Sequence, residues 1–294
     1  MRIGAKVPNS GPLPMERGIA GMAAELEHAG FESLWVSDHI VMPRQIESRY
    51  PFAADGKPTW ATDTPYFDAM VALAVIASAT QGAAIGTAVL VLPLRHPVIL
   101  AKQAASIDVL SGGRLVLGVG AGWLAEEFDA LDVPFGSRGQ RFTEWLQLLR
   151  ACWSGEPGPF DGEHYHLPGD VFALPAPEHD IPVLVGGDSS VALSRAATTA
   201  DGWLAHQSAA ALDFGALEAG VEKVREKAKR AGRAAGELWT TVRIIDSAKR
   251  SQVVADALPR LRDIGVDEVV VDIDWGVEGS AAEAYGVLSD GASW

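Results

Sequence analysis

The chain has 294 residues, 48% hydrophobic and 21% charged, enough for one large domain or two small ones with a sizeable core. Its 24 Lys and Arg against 38 Asp and Glu leave a net charge of −14, which argues against a nucleic-acid or anionic-membrane surface but leaves room for one anionic cofactor in a local site. The single cysteine, Cys152, rules out a disulfide framework and a thiolate metal cluster, and the helical pattern around it marks a core thiol.

Strand-like and helix-like segments alternate along nearly the whole length. The start reads as a strand, Ile3–Val7, rather than a signal peptide. An amphipathic helix, Met15–Ala29, stops at Gly30, and the strand Ser33–Val36 runs into Ser37-Asp38-His39. A first irregular stretch, Val41 to Thr64, carries Pro43, Pro51, Gly56 and Pro58. There follow a helix from Pro65 to Ala79, a strand Ala83–Ala88, a helix Pro97–Leu110 and a strand Arg114–Val119 leading into Gly120-Ala-Gly122. The longest apolar run, Ile85 to Leu94, is too short to span a bilayer, so a soluble cytoplasmic protein is expected. Helical patterns cover Leu124–Leu131 and Gly139–Trp153, and a second irregular stretch, Gly155 to Asp180, holds His164, Tyr165 and His166. The strand Val183–Val185, the turn Gly186-Gly187-Asp188-Ser189 and a helix to Thr199 come next. Three further pairs complete the pattern: Asp201–Ala205 with Ala211–Ala231, Trp239–Ile245 with Val253–Ile264, and Glu268–Ile273 with Ala281–Leu288.

Eight strands, each followed by a helix, predict an α/β fold of the (β/α)8 TIM-barrel type over residues 1–294 as a single domain. The irregular stretches become insertion loops after strands 2 and 4, long enough to act as functional lids. A doubly wound sheet is disfavoured because no glycine fingerprint follows the first strand. In a barrel the chemistry is drawn from the C-terminal ends of several strands. Those ends supply Pro8 and Asn9, then Asp38 and His39, then Thr87, Ala88 and Val89, then Gly120, Ala121, Gly122 and Trp123. The remaining four supply Gly186, Gly187, Asp188 and Ser189, then His206 and Gln207, then Asp246, and finally Asp274 and Trp275. The small residues of the third to fifth ends leave floor space for a large flat molecule with an anionic tail. The Gly186-Gly187 turn opens a helix N-terminus, where backbone N–H groups and the helix dipole suit a phosphate; a plain βα turn would use the same glycines.

Asp38-His39 is the most reactive pair, because histidine can donate or accept a proton near neutrality. His164 and His166 lack a convincing third ligand, so a lid or surface role is expected and no metal site. Tyr50, Phe52, Trp60, Tyr66 and Phe67 either wall an apolar substrate pocket or pack the first insertion onto the barrel.

Taken together in this order, several segments resemble the luciferase-like monooxygenase superfamily, particularly its branch of oxidoreductases that use the deazaflavin F420. They are Gly30-Phe-Glu-Ser-Leu-Trp-Val-Ser-Asp-His39, Ile85-Gly-Thr-Ala-Val-Leu90, Arg95-His-Pro-Val98, Gly112-Gly-Arg-Leu-Val-Leu-Gly-Val-Gly-Ala-Gly122, Val185-Gly-Gly187 and Ala200-Asp-Gly-Trp203. The resemblance implies a cofactor ring held near Asp38, His39, Thr87, Ala88 and Val89, with a cis peptide at Ala88-Val89. It implies that Gly120, Ala121 and Gly122 run beside the ring, and that Gly186, Gly187, Asp188 and Ser189 take the phosphate. It makes His39 the catalytic residue, with Asp38 expected to fix its orientation. Similar F420 sugar and alcohol dehydrogenases place a glutamate soon after the fourth strand. Here that position is Trp123, and Glu126 and Glu127, one turn later, read as helix-surface residues. The implied activity is hydride transfer between F420 and a small organic substrate. The alternatives are an FMN-dependent monooxygenase fed by a partner reductase, a non-catalytic flavin- or deazaflavin-binding protein, and a barrel lyase or isomerase without a redox cofactor. Related barrels pair through their early helices, and the apolar run Met70 to Ala79 is compatible with a homodimer face.

Overall fold

Short apolar strands that alternate with helices pair side by side and in parallel, and the eighth returns to the first. In chain order they are β1 (Arg2–Lys6), β2 (Ser33–Val36), β3 (Ala84–Val91), β4 (Leu115–Gly120), β5 (Val183–Gly186), β6 (Gly202–Ser208), β7 (Trp239–Ile245) and β8 (Glu268–Val271). The barrel closes through β1 against β8, with Ala5 opposite Val271. The structure is a computed structural model and describes residues 1–292 apart from Phe52, Ala54 and Thr59. Phe52, one of the aromatics singled out in the first insertion, therefore lies outside the described residues.

Strand alternation divides the core in two. Trp35, Val116, Leu184, Leu204 and Val270 form a cluster inside the barrel. Ile3, Leu34, Ile85, Leu117, Val185, Val242 and Val269 point the other way and join the larger core under the helices. Those helices are α1 (Ile19–Ala29), α2 (Ala69–Ala79), α3 (Pro97–Ser111), α4 (Arg138–Trp153), α5 (Ser190–Thr199), α6 (Phe214–Arg230), α7 (Ser251–Ile264) and α8 (Ser280–Ala292). Cys152 is a free thiol buried on α4. Among the described residues, no helix is long and apolar enough to cross a membrane.

The boundaries shift where local chemistry overrides the periodicity. The expected helix from Met15 is interrupted at Gly18, whose φ of 73° ends the short turn Leu13–Arg17 before α1 begins. The helix expected from Pro65 starts only at Ala69, because the Asp68 side chain accepts the N–H groups of Met70 and Val71 as a cap, while Tyr66 stays extended and bridges Ser10. The second insertion is folded partly as a small hairpin, Phe160–Asp161 against His166–Leu167.

Candidate active site at the barrel mouth

The floor of the mouth is built by a break in β3. Its register against β4 shifts between Thr87 and Leu90, and the Ala88-Val89 peptide is cis. The Thr87 hydroxyl donates to the Gly118 carbonyl at 2.8 Å and is fully buried, so Thr87 pins the bulge and offers no free hydroxyl to a ligand. Val89 lies across β4 and β5. A Cβ at Gly120 would stand 2.8 Å from one Val89 methyl, and a Cβ at Gly186 would stand 2.8 Å from the other. Glycine at both positions therefore lets the strands close under the bulge and leaves a smooth apolar floor at Ala88 and Val89.

The turn after β5 continues that floor to a helix end. Gly187 has φ 105°, a conformation that side chains rarely adopt, and its carbonyl accepts from Trp203 Nε1 at 3.0 Å. Ser189 is the N-cap of α5, its hydroxyl accepting from Ala192 N. The cap leaves the first N–H groups of α5, at Ser190 and Val191, without intrahelical acceptors and directed at the turn. Asp188 and Ser189 are exposed there. Ala121 and Gly122 follow β4 at the rim, with Gly122 (φ 86°) turning against the Phe128 ring.

Asp38 and His39 do not form the expected pair. Asp38 is buried, and its carboxylate is gripped by Arg95 through both guanidinium nitrogens at 2.6 and 2.7 Å and by Val91 N at 3.0 Å. Burial pushes the Asp38 carboxyl up, and the Arg95 guanidinium opposes it. Arg95 also reaches Asp68, the cap of α2, at 2.9 Å, so this network ties β2, β3 and α2 together. The residue that orients His39 is Glu127. Its Oε2 lies 3.0 Å from His39 Nδ1, and its Oε1 accepts from Ile40 N at 2.6 Å and Val41 N at 3.2 Å. The expectation that Glu126 and Glu127 are helix-surface residues is thereby corrected. The short helix Ala125–Ala130 lies under the first insertion, which covers the face carrying Glu127 and leaves it 1% exposed. No helical period shows that cover, because it comes from a segment 86 to 88 residues earlier.

The first insertion is a stapled lid. Glu126 accepts from Glu47 N, Ser48 N and the Ser48 hydroxyl at 2.6 to 2.8 Å. Partial burial pushes the Glu126 carboxyl up, but these donors outweigh it and hold it at about 2. Around His39 stand Tyr66, Trp123 and Trp60, with ring centroids at 5.3, 6.2 and 6.4 Å, and Tyr50 packs edge-on against both Trp60 and Trp123. Burial raises Tyr50 to about 12 and also pushes Tyr66 up, so both stay phenols. The Trp60 indole N–H is buried without an acceptor among the described residues, a donor left over at the centre of the aromatic wall. His164 and His166 belong to the hairpin: His166 lies 3.2 Å from Asp161, and Glu144 accepts the backbone N–H groups of Glu163, His164 and Tyr165.

Sequence reading missed the opposite wall. Lys6, Arg243 and Asp272 stand at inward positions at the ends of β1, β7 and β8, beside the anticipated His206 on β6, which pairs in register with Arg243. Arg243 is bonded to Asp272 and to the carbonyls of Ile244 and Val270. The signal was available as the inward register of these strands, but a lone lysine or arginine at a strand end carries no motif. Two clefts, of about 540 and 740 Å3, lie at the other end of the barrel around Arg2 and Trp239, far from these groups and on the face associated with stability.

A closed (β/α)8 barrel with its polar side chains gathered at the strand ends defines the class. The luciferase-like monooxygenase family profile matches residues 5–272, and the chain belongs to that family. An uncharacterized protein of Mycobacterium tuberculosis is 34% identical over 250 residues, 85% of this chain and 83% of that one. A protein of Kineococcus radiotolerans named F420-dependent glucose-6-phosphate dehydrogenase is 29% identical over 230 residues, 77% of this chain and 62% of its own. In structure the chain is similar to an F420-dependent secondary alcohol dehydrogenase in complex with an F420-acetone adduct, with a TM-score of 0.77 and 18% identity over 98% of each chain, a likeness of fold.

Proposed function

We propose that the protein is an oxidoreductase that transfers a hydride between coenzyme F420 and a small organic substrate. The observation that carries the reading is the His39–Glu127 pair, a histidine held by a buried carboxylate at the rim of the glycine-backed β3 bulge. The residues fit a flat cofactor with an anionic tail. Ala88 and Val89 over Gly120 and Gly186 offer a floor for a planar ring, and Gly186, Gly187 and the α5 N-terminus offer donors to a phosphate. The unmatched Trp60 N–H suits an oxygen of cofactor or substrate. F420, when bound, supplies the hydride-carrying ring; the protein supplies orientation and electrostatics. His39 holds or moves a proton at its free ring nitrogen, and Glu127, rather than Asp38, fixes the imidazole. The relatives named for F420 support this cofactor over FMN. Exposed apolar side chains on α2 and α3, including Val71 at 59% and Leu110 at 84%, support a homodimer, which light scattering would register as twice the chain mass.

The test is turnover. Purified protein mixed with oxidised F420 and a panel of small alcohols, or with reduced F420 and the matching carbonyl compounds, should change the deazaflavin absorbance. His39→Ala should keep cofactor binding and lose about 100-fold or more of that rate. A wild-type protein that binds F420 and turns over no member of the panel, or an unchanged rate in His39→Ala, would contradict the assignment.

A further inference from the structure

Lys6 occupies a position that a barrel interior rarely gives to a lysine. Alternation along β1 turns it inward with Gly4, whose Cβ would meet Ser33 and Trp35 inside the barrel, while Ile3 and Ala5 face the helices. One residue past the Ala5–Val271 pair, Lys6 stands beside Asp272 across the β1–β8 ladder. Asp272, however, is taken by Arg243. Lys6 makes no hydrogen bond and no ion pair with any described residue. Asp38 is consumed by Arg95, and the more distant Asp274 lies 3.7 Å from Lys249. At this end of the barrel, among the described residues, the carboxylate nearest Lys6 is therefore already paired with Arg243, in a protein whose overall charge is −14.

An unpartnered ammonium in such a place costs free energy unless something anionic joins it. Burial, and then the nearby Arg243, lower Lys6 to about 8, so it remains mostly protonated at neutral pH. His206, the third inward group, is held down at about 4 by burial and Arg243 and stays neutral there, so it adds no charge of its own. Across the mouth the Ala88–Val89 floor is apolar and offers an anion nothing, and the donors of the Gly186-Gly187 turn and the α5 N-terminus are those assigned to the cofactor phosphate.

We propose that Lys6 and Arg243, with His206 beside them, form an anion-binding subsite in the barrel mouth that takes the carboxylate or phosphate group of the substrate. This rests on the reading that the mouth binds F420 and substrate together. It makes the substrate a small organic anion whose charged end lies at β1, β7 and β8 while its reacting carbon lies toward His39.

The experiment is a calorimetric titration of the whole protein, free and saturated with F420, with acetate and with inorganic phosphate at constant ionic strength. Wild type, Lys6→Met and Lys6→Arg are compared, and F420 affinity is measured on the same samples. Lys6→Met leaves no partner unpaired and should fold at least as well as wild type. At least one probe should bind the wild type. Lys6→Met should weaken that binding about tenfold or more, Lys6→Arg should stay within about threefold of wild type, and F420 affinity should change less than about twofold. Preference for acetate assigns a carboxylic acid, and preference for phosphate a phosphate ester. Absence of binding by both probes, or Lys6→Met binding them like wild type, overturns the subsite. Lys6-dependent anion binding without F420 binding would sustain the subsite and overturn the cofactor reading.

Discussion

Glu127 Oε2 stands 3.0 Å from His39 Nδ1, and the Glu127 side chain is 1% exposed against 10% for the histidine. The contact joins the end of β2 to the short helix after β4, 88 positions apart in the chain. It fixes which ring nitrogen of His39 is committed to the protein and leaves Nε2 for the mouth. Glu127 acts through His39 and is a positioning residue.

Glu127→Gln should therefore fold, bind cofactor and lose turnover by about 10- to 1000-fold with little change in KM. Glu127→Ala should in addition lower stability by about 1–3 kcal/mol, because the Ile40 and Val41 N–H groups lose their acceptor. Steady-state kinetics and thermal unfolding check the two effects. An Asp38→Asn variant with the kinetic signature of Glu127→Gln and an unaltered thermal transition would restore the Asp38–His39 pairing that the geometry rejects.

The floor depends on Val89 and the glycines beneath it. Gly120→Ala should push Val89 out of place, since the new Cβ would lie 2.8 Å from its methyl, and should weaken F420 binding at least tenfold. Adding Val89→Ala in the same chain removes the clash and should recover most of the affinity. Fluorescence titration reads both variants, and a single variant that binds like wild type would show that the ring does not rest there.

The lid is held by a carboxylate whose value is depressed to about 2 from an ordinary 4.5. The contribution of a depressed acid is fully present above 4.5 and fades as pH falls toward 2. At neutral pH, Glu126→Gln should loosen the Ser48 staple and speed tryptic cleavage at Arg44 and Arg49, with the barrel left intact. Equal cleavage rates in wild type and variant would remove Glu126 from that role.

His206 gives the opposite wall a pH signature. The unfolded chain takes up its proton near 6.5 and the folded one only near 4, so the unfolded state binds more protons between those values. Stability should fall as pH drops through that window, by up to about 1.4 kcal/mol per unit from this group. His206→Gln should flatten the dependence in urea melts at pH 7 and pH 5. A variant with the wild-type slope would place the titration elsewhere.

Most of the barrel was legible because strands and helices carry their periods locally, and the glycines of the floor were legible because close approach leaves no alternative residue. The Ala88-Val89 cis peptide is where the family resemblance places it. What the sequence hid is long-range. Asp38 is adjacent to His39 in the chain yet turns to Arg95, 57 residues away, while His39 takes Glu127. Local periodicity marks a helix face as exposed, and only the folded lid shows that Glu127 is covered. Lys6, Arg243 and Asp272 come from strands at opposite ends of the chain and meet only because β8 closes onto β1.

The most direct measurement is a titration of the purified protein with F420 and, separately, with FMN, followed by tryptophan fluorescence. Trp123 faces His39, and Trp203 donates to the Gly187 carbonyl, so both report on the mouth. Micromolar binding of F420 with much weaker binding of FMN is the expected result. Preference for FMN would redirect the chemistry to oxygen and a partner reductase, and binding of neither would contradict the cofactor role of the β3 bulge and the Gly186-Gly187 turn.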